Sequence, residues 1–125
     1  MKWLFLGAGL SGMLSVVLGA YGAHGLKGRL SSDLMNAFQT GVEYQMYHSL
    51  AMLIACMLAY QWPEAQLLRW SAYLFLLGMI VFSGSLYLLS LTELRIFGPI
   101  TPLGGLVLIS AWLLLTMGIW ENVQS

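Results

Sequence analysis

Charged side chains are scarce in this sequence. They make up 8% of the 125 residues, against about 25% in an ordinary soluble domain. The acidic and basic side chains cancel to a formal net charge of zero, which gives no electrostatic basis for binding nucleic acid. Hydrophobic residues instead make up 59% of the chain. The composition therefore indicates an integral membrane protein and excludes nucleic acid as a partner.

Cysteine is also scarce. Cys56 is the single cysteine in the sequence, so it has no partner with which to form a disulfide. It lies within an apolar stretch, where a thiol behaves as a small hydrophobic side chain. The sequence contains no metal-ligand spacing, no set of nucleophile, base and acid, and no cofactor motif. We therefore expect no metal, no cofactor and no enzymatic activity.

Four long apolar stretches lie between the few charges, namely Trp3–Tyr21, Val42–Tyr60, Leu67–Leu91 and Leu103–Trp120. Each reaches or nearly reaches the roughly 20 residues that an α-helix needs to cross a hydrocarbon core of about 30 Å. The apolar stretches lack the alternation that a membrane β-barrel requires. The sequence therefore predicts an all-α integral membrane protein, with one domain over residues 1–125 and four transmembrane helices.

The segment before the second stretch has a different pattern. Ser31 to Asp33 can cap a helix, and the residues that follow separate into an apolar and a polar side at helical spacing. This pattern predicts a short amphipathic helix at the membrane interface after the first loop. An unbroken helix through Thr40 and Gly41 is the alternative.

Small residues recur at heptad spacing in the first and fourth apolar stretches. Gly12 and Gly19 form one row, and Gly104, Ala111 and Gly118 form the other. Small residues let the backbones of two membrane helices approach closely. The matching rows predict contact between the first and fourth helices.

The second stretch carries a polar and aromatic face. At 100° per residue, one side of this helix collects six residues: Thr40, Tyr44, Tyr47, His48, Ala51 and Ala55. Glu43 flanks this face and Met52 lies outside it. Polar side chains in hydrocarbon are costly unless they meet partners, so we expect this face to pack against other helices.

Charges and aromatic residues suggest an orientation. Four spans place the termini, Lys2 and Arg69 on one side, and Lys27, Arg29 and Arg95 on the other. The positive-inside rule then favours cytoplasmic first and third loops and periplasmic termini, by a margin of one charge.

Most side chains capable of chemistry fall at the end that the first and third loops form. The candidate ligand-binding residues are His24, Lys27, Arg29, Glu43, Tyr44, Tyr47, His48 and Arg95. The glycine-rich first loop with its two cations could bind a phosphate head group, but a flexible loop with snorkelling cations is the simpler interpretation. We interpret His24 and His48 as unrelated interface histidines and expect no haem, because the second lies only about two turns into its stretch.

Three segments carry a resemblance to a known family: GAYGAHGLKGRL, FQTGVEYQMYHSLAML and SGSLYLLSLTELRIFGPITPLGG. Together they resemble the YgdD/YwdK-like family of small inner-membrane proteins over nearly the whole chain. The resemblance implies a four-helix protein of the bacterial inner (plasma) membrane. It supplies no activity, substrate or catalytic residue, so the functional argument depends on the residues alone.

The sequence favours the first of three functions and leaves the other two as alternatives. The first is a structural or accessory membrane protein, as a homo-oligomer or within a larger membrane complex, in which the polar cluster fixes helix register. The second is binding of a lipid or a quinone-like molecule between helices, with membrane lipids as partners. The third is a small transporter or channel that uses Glu43 or His48 for proton coupling. Glu43 lies near the membrane boundary, whereas transporters hold coupling sites near the midplane.

Overall fold

The fold consists of helices packed side by side. The computed structural model describes residues 1–123, and residues 124 and 125 of the predicted domain lie outside this range. Helix α1 spans Lys2–His24, α2 spans Ser32–Gln61, α3 spans Gln66–Thr92 and α4 spans Ile100–Val123, with a 3₁₀ helix at Arg95–Phe97 before α4. The described residues contain no strand, which confirms the all-α class.

Three helical segments are long and apolar enough to cross a membrane. They are Lys2–His24, Gln66–Thr92 and Arg95–Val123. Helix α2 is longer than α1, α3 or α4 but is not among these segments. Its sequence is less apolar because Glu43, Gln45 and His48 interrupt the hydrophobic run.

Helix α2 is unbroken over 30 residues. The prediction of a separate interfacial helix is therefore wrong, because these residues form the first turns of α2. Ser31 caps these turns, and its Oγ accepts a hydrogen bond from the backbone N–H of Leu34. Gly41 does not break the helix; it is buried, and a Cβ there would lie 2.8 Å from the Tyr87 ring. The glycine allows α3 to approach.

The helices pack mainly in chain order, α1 on α2, α2 on α3 and α3 on α4. Among the described residues, α1 and α4 have no pair of Cα atoms within 8 Å of each other. The predicted contact between the first and fourth helices is therefore wrong. Their small residues pack on other helices: Gly12 faces Ser49 of α2, and the α4 glycines face α3.

Glycine brings α3 and α4 very close together. A Cβ at Gly104 would lie 2.4 Å from the backbone nitrogen of Phe82, and a Cβ at Gly118 would lie 2.7 Å from a methyl carbon of Leu68. Gly78 of α3 receives Leu108 of α4 in the same way. Because lipid is as apolar as the side chains, such close packing supplies much of the attraction between helices.

Candidate functional site

Polar contacts between three helices mark the middle of the molecule. Ser49 Oγ of α2 lies 2.8 Å from Ser11 Oγ of α1 and 3.5 Å from Met79 Sδ of α3. Ser11 and Met79 lie near the middle of their helices, so Ser49 and its neighbour His48 also lie near the middle of the helix bundle. The apolar run begins at Val42 but α2 begins at Ser32, so His48 lies further from the start of its helix than the sequence predicted.

Gln45 is the centre of a hydrogen-bond network that joins α1, α2 and α3. Its Nε2 donates to the backbone oxygen of Ser11 over 2.9 Å, and its Oε1 accepts from the Tyr87 hydroxyl over 2.6 Å. Gln45 is 6% exposed. Within the described residues, no buried side-chain nitrogen or oxygen lacks a hydrogen-bond partner. The network is therefore saturated and ties three helices together.

Gln45 is not among the predicted site residues, because it lies off the aromatic side of α2. A signal was present, because Gln45, Ser49 and Met52 recur at the i, i+4 and i+7 spacing of one helix face. All three side chains are buried. This second face of α2 meets α1 and α3.

A cavity lies beside the Gln45 network. It measures about 360 Å³, and helices α1, α2 and α3 all contribute to its lining. Its walls include Leu10 and Leu14 of α1 and Leu76 and Ile80 of α3. The contacts between α1 and α3 are sparse, so the space between them over α2 remains open.

His48 lies on the other side of α2 within an aromatic enclosure. Its ring centroid is 5.7 Å from that of Tyr44, 5.9 Å from that of Phe75 and 6.1 Å from that of Trp112. Tyr44 in turn stacks on Phe82 at 4.8 Å. The imidazole is thus surrounded by rings from α2, α3 and α4 and is 6% exposed.

One hydrogen bond fixes the tautomer of His48. Its Nδ1 lies 2.6 Å from the backbone oxygen of Tyr44, and a carbonyl oxygen can only accept. In the neutral imidazole, Nδ1 therefore carries the hydrogen and Nε2 presents a lone pair. No donor among residues 1–123 bonds to Nε2. Every fully buried side-chain nitrogen or oxygen in this range has a partner, so the unpaired Nε2 is not fully buried. This acceptor therefore reaches the molecular surface.

Of the other predicted site residues, Tyr44 belongs to this enclosure and the rest do not. Tyr44 and Tyr47 flank His48 with rings 5.9 Å apart, and Tyr47 is 55% exposed. The remaining five are exposed: His24, Lys27, Arg29, Glu43 and Arg95. No ion pair or hydrogen bond joins them to His48 in the described part of the chain. The predicted single cluster is thus not formed; ligand binding by these residues stays a prediction.

Long apolar helices whose polar groups pair between helices define a class, the multi-span integral membrane proteins. Within that class, the chain belongs to the family described as "Protein of unknown function (DUF423)", whose model matches residues 18–105. No solved structure matches the chain.

Curated relatives cover almost the full length. A UPF0382 membrane protein of Staphylococcus haemolyticus is 44% identical over 97% of both chains. The UPF0382 membrane protein YwdK of Bacillus subtilis is 39% identical over 92% of this chain and 93% of its own. The UPF0382 inner membrane protein YgdD of Escherichia coli K12 is 38% identical over 94% of this chain and 88% of its own. The resemblance to the YgdD/YwdK-like family is confirmed.

Proposed function

We propose that the chain is a four-span protein of the bacterial inner membrane, with α2 as the additional span. Helix α2 packs on both α1 and α3, which carry apolar segments of membrane length, and a helix between two spans shares their environment. Its polar first turns would lie at the cytoplasmic interface, with both termini in the periplasm.

Cysteine labelling tests this topology. In a Cys56→Ser background, Lys27→Cys and Glu64→Cys introduce thiols at exposed positions in the first and second connections. A membrane-impermeant maleimide added to cells with a permeabilised outer membrane should label Glu64→Cys and leave Lys27→Cys unlabelled until the inner membrane is broken. Labelling of both thiols from the same side would show that α2 does not cross the membrane. The reverse pattern would show that the orientation is opposite to the one proposed.

We propose that the protein binds a lipid-like molecule between α2 and α4, without enzymatic turnover. The observation that carries this proposal is the unpaired His48 Nε2 at mid-depth. A polar group in hydrocarbon without a hydrogen bond costs about 2–7 kcal/mol, and no water is available there to satisfy it. A bound molecule that donates a hydrogen bond to Nε2 removes this cost.

The surroundings of Nε2 indicate what kind of molecule fits. Tyr44, Phe75 and Trp112 provide ring surfaces around the imidazole, and aromatic rings pack well against other flat rings. The molecule must also enter through the bilayer, because the site is at mid-depth. A reduced quinone, with a flat ring, phenolic O–H donors and an apolar tail, meets all three requirements.

Histidine NMR gives a direct test. The chain has two histidines, His24 and His48, so a sample with ¹⁵N-labelled histidine reports both rings. A short-chain prenylated hydroquinone should move the Nε2 signal of His48 and leave His24, in the exposed loop, unchanged. The dimethyl ether of the same probe lacks the O–H donor and should leave both signals unchanged. Equal effects of the two probes on the His48 signal would contradict a hydrogen bond from the hydroquinone to Nε2.

The variant His48→Phe keeps a ring in the enclosure but removes the acceptor. Without the hydroquinone, Nε2 has no hydrogen-bond partner in the hydrocarbon, so the bond should contribute at least about 2 kcal/mol to binding. Affinity for the hydroquinone should therefore fall about thirtyfold or more. Titration calorimetry in detergent measures this change, and His24→Phe is the control. Unchanged affinity in His48→Phe would contradict the proposed role of His48.

A structural or accessory role is the second candidate, and the saturated Gln45 network favours it. Every hydrogen bond of this network joins parts of the same chain, so it stabilises helix positions and offers nothing to a ligand. A protein with this role alone would show no response of His48 to either probe.

A further inference from the structure

The face of α3 opposite Phe75 carries a continuous groove. Two depressions, of about 360 Å³ and about 480 Å³, are both lined by Ile80, Gly84 and Tyr87. A Cβ at Gly84 would have no atom within 4 Å. The missing side chain of this glycine therefore joins the two depressions.

The groove has a direction and a length. It begins beside Leu76 and Met79 at mid-depth and ends beside Leu88 and Phe97, where α3 gives way to the 3₁₀ helix. The rise from Leu76 to Leu88 is about 18 Å along an α-helix. Half of a hydrocarbon core measures about 15 Å. The groove therefore covers the depth of one leaflet.

The walls of the groove are apolar, and its polar neighbours are already paired. Leu10 and Leu14 line one side, while the Tyr87 hydroxyl donates to Gln45 and the Ser83 hydroxyl donates to the backbone oxygen of Gly41. Such a lining offers contact area to a hydrocarbon chain and no unpaired polar atom. Arg95, which is exposed, follows the end of α3 next to Phe97.

We propose that this groove holds one acyl chain of a phospholipid from the leaflet on the 3₁₀-helix side, with the lipid phosphate at Arg95. The length of an acyl chain in one leaflet matches the groove. Phe97 lines the end of the groove, and Arg95 lies two residues before it in the 3₁₀ helix, where a cation suits a lipid phosphate. Helical periodicity places Gly84 on the side of α3 away from Phe75 and His48. This lipid site is therefore separate from the His48 enclosure and does not depend on it.

Substitution of Gly84 tests the site without disturbing a contact. A leucine there extends into open space and divides the groove. Gly9→Leu is the matched control, because a Cβ at Gly9 also meets no atom within 4 Å and Gly9 lines neither depression. Both substitutions replace a helical glycine with a large apolar residue.

Native mass spectrometry of delipidated protein, titrated with dipalmitoyl phosphatidylglycerol, measures the binding. We expect one lipid per chain for the wild type and for Gly9→Leu, and about tenfold weaker binding for Gly84→Leu. Arg95→Gln should weaken binding by a smaller factor, because only the phosphate contact is lost. His48→Phe should leave it unchanged.

Several results would overturn the lipid site. Equal lipid binding by Gly84→Leu and the wild type would do so, and so would binding of isoprenoid lipids alone. A wild-type dimer that Gly84→Leu converts to a monomer would assign the groove to a second copy of the chain. If Gly84→Leu is not monodisperse, Ile80→Trp at a 62% exposed position narrows the same groove, and unchanged lipid binding there contradicts the proposal.

Discussion

Replacing Gly104 with alanine is expected to separate α4 from α3. The added Cβ would lie 2.4 Å from the backbone nitrogen of Phe82 and 2.7 Å from its Cα. These are backbone atoms, which cannot rotate away, so the two helices must move apart along their contact. We expect the free energy of unfolding to fall by about 3 kcal/mol, the upper end for overpacking. Unfolding in SDS, followed by circular dichroism, measures the change.

Gly105→Ala is the control for this experiment. Its Cβ would lie 3.8 Å and 3.9 Å from two ring carbons of Phe82, an ordinary contact. Alanine also favours a helix interior over glycine by about 0.5–1 kcal/mol. Gly105→Ala should therefore be neutral or stabilising. Equal destabilisation by the two variants would mean that α3 and α4 do not approach at Gly104.

The small residues illustrate what a single sequence can and cannot predict. The spacing of Gly104, Ala111 and Gly118 correctly indicated one closely packed face of α4, and all three are buried. The predicted partner helix was wrong. The spacing of small residues describes the face of one helix, whereas the partner is determined by which other helix carries large side chains that fit against that face. Phe82 and Leu68 of α3 supply that bulk, and nothing in the α4 sequence specifies them.

The depth of the polar residues was misjudged for a related reason. Hydropathy rises at Val42, but the helix begins at Ser32, because helix formation depends on capping and local propensity as well as on apolarity. A helix start ten residues earlier lies about 15 Å further along the helix axis. His48 therefore lies near the middle of its helix and not near its start.

The candidate site was predicted in part. Of the predicted face, His48, Ala51 and Ala55 pack inward, whereas Tyr44 and Tyr47 are exposed. The charged residues Glu43 and Arg95 were expected beside it and are exposed. A charge in hydrocarbon costs more than an amide or an imidazole, so charged side chains extend to the interface where the chain permits. Neutral polar groups such as Gln45 can remain inside once they are paired.

Replacing Gln45 with leucine is expected to loosen the packing of α1 and α3 on α2. Leucine keeps the bulk but leaves the Tyr87 hydroxyl without its acceptor. The backbone oxygen of Ser11 loses the bond from Gln45 but keeps its helical bond within α1. An unsatisfied buried polar group costs about 1–3 kcal/mol, so we expect the free energy of unfolding to fall by about 2 kcal/mol. Gln39→Leu, at an exposed position on the same helix, should change it little.

A double-mutant cycle with Tyr87→Phe separates the hydrogen bond from changes in packing. Once Gln45 is leucine, removing the Tyr87 hydroxyl removes an unpaired group, so Tyr87→Phe should cost less than in the wild type. We expect a coupling free energy of about 1 kcal/mol between the two positions. Strictly additive effects would mean that Gln45 and Tyr87 do not act together. Coupling with an unchanged His48 NMR signal would show that the helix-tying network and the aromatic enclosure are separate parts of one membrane protein.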